Sequence, residues 1–379
     1  MGGVHPERIS PSDRPLSRQA REAILSAPVF GESFSDHMVT MRWANGEWGP
    51  LELAPFAPLS LSPATLALHY GQSIFEALKA YALTGGAVAL FRPDRNAARM
   101  AASAERIAMP SLPDGVFEQA CELLVDADRE WVPTQDGSAL YVRPFMFGSE
   151  AHLSVRPAHE YLFVVIASPV ASYFGGHLRA IRVAVESRDV RATPGGTGAA
   201  KFAGNYAAGF AAHGRAGAAG HDQVLWLDAV EHRWVEELNA MNVMFVWERD
   251  GRRVLSSPPL GGTILDGVTR DSLLCLAEDS LRDPAGSSAV EEVSIEATSI
   301  DALEAGAQDG TLVEAFACGT AAVVAPIGSF VVDGRVVEVG DGSPGPVTVA
   351  LRHRLLDVQG GRVPDVHGWL RRVERRPGR

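Results

Sequence analysis

The chain has 379 residues, 46% of them apolar and 21% charged, with a formal net charge of −12. Such a composition excludes a disordered, collagen-like or coiled-coil chain, and at roughly 150 residues per domain it predicts two domains. The negative charge, with no basic stripe interleaved with aromatics, argues against nucleic acid as a partner.

Residues 1–28 open polar and Pro-rich and read as extended or disordered, not as a signal peptide. Strand-like stretches at 39–43 and 161–167 and helix-like stretches at 96–108 and 116–129 predict one mixed α and β domain over residues 1–175. The turn-rich stretch 172–177 contains Gly175 and Gly176 and reads as a hinge. Residues 176–186 follow as an interdomain linker, although 181–186 are strand-like, and 187–379 form the second domain. That domain is predicted to hold a loop at 191–198 and a small-residue helix at 201–213. Strands follow at 224–227, 241–248 and 312–317, with helices at 269–278 and 347–357. The uncharged run 315–332 includes Gly319, Pro326 and Gly328, so it reads as strand and loop rather than a membrane span. The arginine-rich tail from Arg371 reads as solvated. Three cysteines, Cys121, Cys275 and Cys318, form no CxxC pair, which fits a reducing cytoplasm and no structural metal.

Lysine occurs only at Lys79 and Lys201; every other one of the 34 basic residues is arginine. A retained lysine is a candidate for chemistry that a permanently protonated guanidinium cannot do, namely attack of a neutral amine on a carbonyl. Lys201 lies in PGGTGAAKFAGN, residues 194–205. A phosphate loop needs Gly directly before the Lys and Ser or Thr directly after it; Ala200 and Phe202 stand there, so a nucleotide-binding module is the lesser reading. Ala199, Ala200, Ala203 and Gly204 instead make a small-residue slot for a flat cofactor, and a desolvated amine there is suited to a Schiff base. Lys79 sits on an amphipathic stretch without such a loop and is the weaker candidate. Tyr206 follows Lys201 by about one and a half helical turns and is in reach as a hydrogen-bond donor.

In VEELNAMN, residues 235–242, Glu236 and Glu237 point to opposite faces of a strand, so only one is placed to pair with a pyridine nitrogen. Gly267, Val268 and Thr269 before a helix, the Gly319 and Thr320 turn, and the Arg99 guanidinium each offer an anion site. Tyr70, Phe75, Tyr141 and Arg143 combine aromatic walls with one cation, which suits a substrate carrying an apolar side chain and a carboxylate.

The segments LHYGQSIFEALKAY, LFRPDRNAARM, YVRPFMFGSE, GTGAAKFAGNY, QVLWLD, VEELNAMN, SSPPLGGTILDGVTRDSLL and FACGTAAVVAP stand in the order of the branched-chain amino-acid aminotransferases. Over about residues 30–369 the chain resembles that family of pyridoxal 5'-phosphate (PLP) enzymes of fold type IV. The resemblance implies a mixed α and β fold: a small N-terminal α/β domain, a larger C-terminal PLP-binding pseudobarrel domain, and a mobile linker near residues 172–180. It implies a cytoplasmic homodimer that takes small amino acids and 2-oxo acids and has no nucleic-acid or membrane partner. Lys201 resembles the catalytic Schiff-base lysine, Tyr206 the partner of the cofactor's phenolic oxygen, and Glu237 the partner of its ring nitrogen. Arg99, Val268, Thr269 and Thr320 resemble the phosphate cup. Tyr70, Tyr141, Arg143 and Ala321 resemble the substrate site, with Phe30, Phe75, Val155 and Tyr173 as its apolar walls.

The implied activity is reversible transfer of the amino group of L-leucine, L-isoleucine or L-valine to 2-oxoglutarate. The alternatives are a same-fold enzyme of other substrate: a D-amino-acid aminotransferase, an aminodeoxychorismate lyase or a natural-product aminotransferase. Asn239 and Ala77 depart from the family's glycines, and Ala322 and Ala325 replace a redox cysteine pair found in some animal members.

Overall fold

The computed structural model describes residues 6–172, 178–282 and 290–376. The chain divides into two compact units, one of Met1–Gly175, Ala200–Ala203 and Asp357–Arg379, the other of Gly176–Ala199 and Gly204–Leu356.

The first unit begins with β1 (Glu7–Ile9), α1 (Arg18–Ser26), β2 (His37–Ala44), β3 (Glu47–Trp48) and β4 (Leu51–Pro55). It continues with α2 (Leu66–Tyr70), β5 (Ser73–Phe75), β6 (Leu78–Ala82), β7 (Val88–Phe91), α3 (Pro93–Arg106) and α4 (Val116–Ala127). The long strands β8 (Ala139–Gly148) and β9 (Tyr161–Val170) follow. They pair antiparallel along their whole length, from Ala139 opposite Val170 to Gly148 opposite Tyr161. β-Branched and aromatic residues dominate β9, as a pleated, covered surface favours. The sheet runs β1-β4-β2-β9-β8-β6-β7. α4 packs on β2 and β9 and lays Phe117, Cys121, Leu124 and Val125 into the core with Val39, Met41, Phe163 and Val165.

The second unit holds β10 (Ile181–Glu186), α5 (Ala203–Ala208), α6 (Phe210–Ala218), β11 (Gln223–Leu227), β12 (Val235–Leu238), β13 (Asn242–Arg249) and β14 (Arg252–Ser257). Next come α7 (Val268–Arg282), β15 (Glu292–Ile295), α8 (Ile300–Asp309), β16 (Leu312–Gly319), β17 (Val323–Val332), β18 (Arg335–Glu338) and α9 (Pro346–Gln359). Its sheet runs β12-β11-β10-β17-β16-β13, and β13 pairs back onto β12. That last pairing closes the strands into a ring, as expected of a pseudobarrel, and closure removes the open edge on both strands.

Four local expectations are corrected. Residues 6–28 are not featureless, because their backbone groups find partners: β1 adds parallel to β4, Ser17 caps α1 through the Ala20 N–H, and Asp36 and His37 accept from Leu16 and Ser12. The expected linker 176–186 ends in β10, a central barrel strand between β11 and β17; residues 173–177, including Tyr173, lie outside the described residues. The tail is not merely solvated: Arg371 and Arg372 are exposed, yet β19 (Leu370–Arg372) adds antiparallel to β7, and the segment from Asp357 belongs to the first unit. The helix expected at 201–213 starts after Lys201 and breaks at Gly209 into α5 and α6.

The start of α9 is capped from a distance. Glu314 on β16 accepts from the Val347 and Thr348 N–H groups at 2.9 and 2.8 Å and from the Thr348 hydroxyl at 2.6 Å. A Cβ at Gly345 would stand 2.1 Å from the Glu314 Cδ, so only glycine lets that carboxylate reach the helix. Glu314→Ala orphans three buried donors and is expected to cost about 3 kcal/mol, read as a lower denaturant midpoint at unchanged slope.

Candidate active site

In the first unit the tetrapeptide carrying Lys201 is tied into the sheet. Phe202 bridges antiparallel to Ile74, the Phe75 N–H donates to the Lys201 carbonyl at 3.1 Å, and the Lys201 N–H donates to Ser103 Oγ at 2.9 Å. The side chain is 9% exposed, and its Nζ lies 4.9 Å from the Phe75 ring centroid. The Arg143 guanidinium lies 4.8 Å from the same ring centroid and donates to the Tyr141 hydroxyl at 3.0 Å. Phe30 meets Tyr141 edge-on, with centroids 4.9 Å apart. Phe30, Phe75, Tyr141, Arg143 and Lys201 are therefore brought together. Tyr70 donates to the Leu153 carbonyl and is exposed, as is Val155, so both stand apart from that group.

Arg99 on α3 forks onto Glu76, with Nε to Oε1 at 2.7 Å and Nη2 to Oε2 at 2.8 Å. Glu76 is fully buried. Burial alone would raise its carboxyl, but Arg99, Lys201 and the Asn96 amide outweigh burial and hold it below the usual carboxylate range. Ala77, in place of glycine, does not fall among the residues with positive φ, so no glycine is required there.

In the second unit Glu237 lies near the end of β12, one residue before Leu238, and is 4% exposed. Arg191 Nη2 pairs with its Oε1 at 2.7 Å and also donates to the carbonyls of Gly198 and Thr263. Asn242 Nδ2 donates to Glu237 Oε2 at 3.0 Å and to the Leu265 carbonyl at 2.9 Å. Gly267 is obligatory beside it, since a Cβ would stand 1.9 Å from Asn242 Oδ1. The carboxylate is thus fixed from the loop 191–198 and from the approach to α7, which Val268 and Thr269 open. Glu236, on the opposite face of the strand, is buried as well. Burial pushes its carboxyl up, and the Thr263 hydroxyl and Arg191 offset only part of that.

Thr320 and Ala321 form the turn between β16 and β17, and α7 packs against β16. Val323 follows in the left-handed region with φ 63°, a strained setting for a β-branched residue. Tyr206 lies on α5, which is joined to the preceding loop through Asn205: Thr197 Oγ1 donates to its Oδ1 at 2.7 Å, and its Nδ2 donates to the Thr197 carbonyl at 2.8 Å. Arg191, Glu76, Asn242 and Ser103 escape the sequence pattern. Arg191 is one arginine among many in a stretch read as loop, and the other three gain meaning only through partners remote in sequence.

Residues 73–330 match the amino-transferase class IV family model, and the chain belongs to that family. It is 49% identical over 364 residues to a probable branched-chain-amino-acid aminotransferase of Streptomyces coelicolor, covering 96% of this chain and 97% of that protein. It is 44% identical over 367 residues to the branched-chain-amino-acid aminotransferase of Mycolicibacterium smegmatis, covering 96% and 97%. Among solved structures, a T.th. branched-chain amino acid aminotransferase with pyridoxamine 5'-phosphate is similar with a TM-score of 0.69 at 30% identity, over 88% of this chain and 98% of that one. The Escherichia coli branched-chain amino acid aminotransferase gives a TM-score of 0.68 at 27% identity, over 89% and 99%. Within class IV, the place of this chain is with the branched-chain amino-acid aminotransferases.

Proposed function

We propose that the chain transfers the amino group of L-leucine, L-isoleucine or L-valine to 2-oxoglutarate, giving the branched 2-oxo acid and L-glutamate, with PLP as cofactor. The observation that carries this reading is the buried Lys201 amine over Phe75, in a chain alike over 96% of its length to a branched-chain aminotransferase. The donor set fits the cofactor: one buried primary amine, one buried carboxylate clamped by Arg191 and Asn242, and two threonines, one opening a helix and one in a hairpin turn. When bound, PLP supplies an aldehyde for a primary amine and a ring that withdraws electrons from the substrate Cα.

The protein's own groups do the rest. Lys201 is the amine that would hold the cofactor's aldehyde, and once the substrate's amine takes its place the freed Nζ would be the base that moves the proton from the substrate Cα. Glu237, fixed by Arg191 and Asn242, holds a proton on the ring nitrogen. Tyr206 donates to the phenolic oxygen. Arg99, Val268, Thr269 and Thr320 hold the phosphate, Arg99 being oriented by Glu76. Tyr141, Arg143 and the Ala321 backbone receive the substrate carboxylate, and Phe30 and Phe75 flank its side chain. A cytoplasmic homodimer belongs to the same reading, supported by the exposed apolar Phe30, Leu68, Leu153 and Val155 of the first unit and tested by sedimentation.

The decisive experiment is a panel of amino donors (leucine, isoleucine, valine and D-alanine) with 2-oxoglutarate as acceptor. Turnover of D-alanine but not leucine would overturn the assignment. Glu237→Gln is expected to lower kcat by about 10²–10³-fold with the KM for leucine within about threefold, because the lost charge matters only while Cα is losing its proton. Steady-state rates over a leucine series check it.

A further inference from the structure

The turn after Glu237 carries Asn239, and its side chain meets a notch at Gly209. A Cβ at Gly209 would stand 2.5 Å from Asn239 Oδ1 and 3.2 Å from Trp226 Cζ2. Gly209 is the break between α5, which carries Tyr206, and α6, and its N–H donates to the Tyr206 carbonyl at 3.1 Å. Trp226 is fully buried on β11, the strand that pairs with β12 through Leu225 and Leu238, next to Glu237. Among the described residues Asn239 Oδ1 has no hydrogen-bond partner, and neither has Trp226 Nε1. Close packing against a missing Cβ, rather than a hydrogen bond, therefore sets the place of that oxygen.

We propose that Asn239 is a positioning residue, keyed into the Gly209 notch so that the strand end bearing Glu237 and the helix bearing Tyr206 keep one spacing. This rests on the cofactor-facing roles given above to Glu237 and Tyr206. The size of residue 239 and the lack of a side chain at 209 are then one feature. An alanine at 209 acts by displacing Asn239, and removing the Asn239 side chain relieves it, with the indole at 3.2 Å as the remaining limit.

The test uses the holoenzymes of Asn239→Gly, Gly209→Ala and the double variant. The pH midpoint of the yellow chromophore reports on the groups around the cofactor and does not respond to a loss of general stability. Gly209→Ala is expected to shift that midpoint by about half a unit or more and lower kcat about tenfold, with the KM for leucine within about twofold. Asn239→Gly is expected to shift the midpoint as well, with kcat about threefold lower. In the double variant kcat returns to about the level of Asn239→Gly instead of showing the product of both losses. Multiplying losses, or midpoints unchanged from the parent, overturn the proposal. If Gly209→Ala does not fold, Asn239→Gly decides alone through its midpoint, since it adds no bulk. A colourless parent without leucine turnover would defeat the function itself, whereas a competent parent with indifferent variants would defeat only the role of Asn239.

Discussion

Replacing Lys201 with arginine is expected to reduce leucine turnover by about 10⁴-fold or more while the protein stays folded. The anchors of residue 201 are main-chain groups, to Phe75 and Ser103, and an arginine keeps them. A positive charge also stays near Glu76, which the lysine helps to hold ionised. What is lost is an amine that can shed its proton, attack an aldehyde and carry a proton away from carbon. Turnover with 2-oxoglutarate, a thermal melt, and borohydride reduction followed by peptide mapping of the parent check the three parts. Parent-like turnover in the variant, or an unlabelled Lys201 peptide in the parent, would remove Lys201 from the chemistry.

Arg99→Met is expected to destabilise the protein by about 3–5 kcal/mol at neutral pH, because it strands a carboxylate that is fully buried. The pH dependence carries the signature. In the parent, the Glu76 carboxyl lies below its ordinary value of 4.5, so its stabilising contribution is complete above that value and is lost as pH falls through the lowered one. Without Arg99, burial dominates and the folded carboxyl rises above its unfolded value. Its contribution is then present only in acid and is lost as pH rises through the raised value. The variant therefore loses ground against the parent between about pH 5 and pH 8, where the parent's Glu76 contribution is flat. Urea melts at those two pH values test this, and a parallel pH response in both proteins would show that Arg99 does not govern Glu76.

What the sequence makes legible follows from range. Strands β9, β11, β13 and β16 and helices α3, α4, α7 and α9 lie where periodicity places them, because their patterns are local and long enough to average out exceptions. The lysine stands out by composition alone. The partners of the candidate groups do not. Glu76 with Arg99, Arg191 with Glu237, and Lys201 with Ser103 are separated by 23, 46 and 98 positions, and nothing at either end marks the other. The break at Gly209 is hidden for a similar reason: small residues continue through it as in a helix, and only the remote Asn239 and Trp226 show what the glycine makes room for. The resemblance names residues for the ring nitrogen and the phosphate. It does not say that Glu237 and Arg99 are each already gripped by an opposite charge from the protein itself.

The pairing of β19 with β7 bears on how the chain is made. Ribosomal synthesis runs from the first residue to the last, yet the strand that covers β7 is Leu370–Arg372. For the whole time the second unit is being translated, the nascent first unit has β7 as a bare, apolar rim, the kind of rim that recruits strands from other chains. Leu370–Arg372 is thus the last strand of that sheet to arrive, and a chain stopped before it would leave one edge of β7 uncovered.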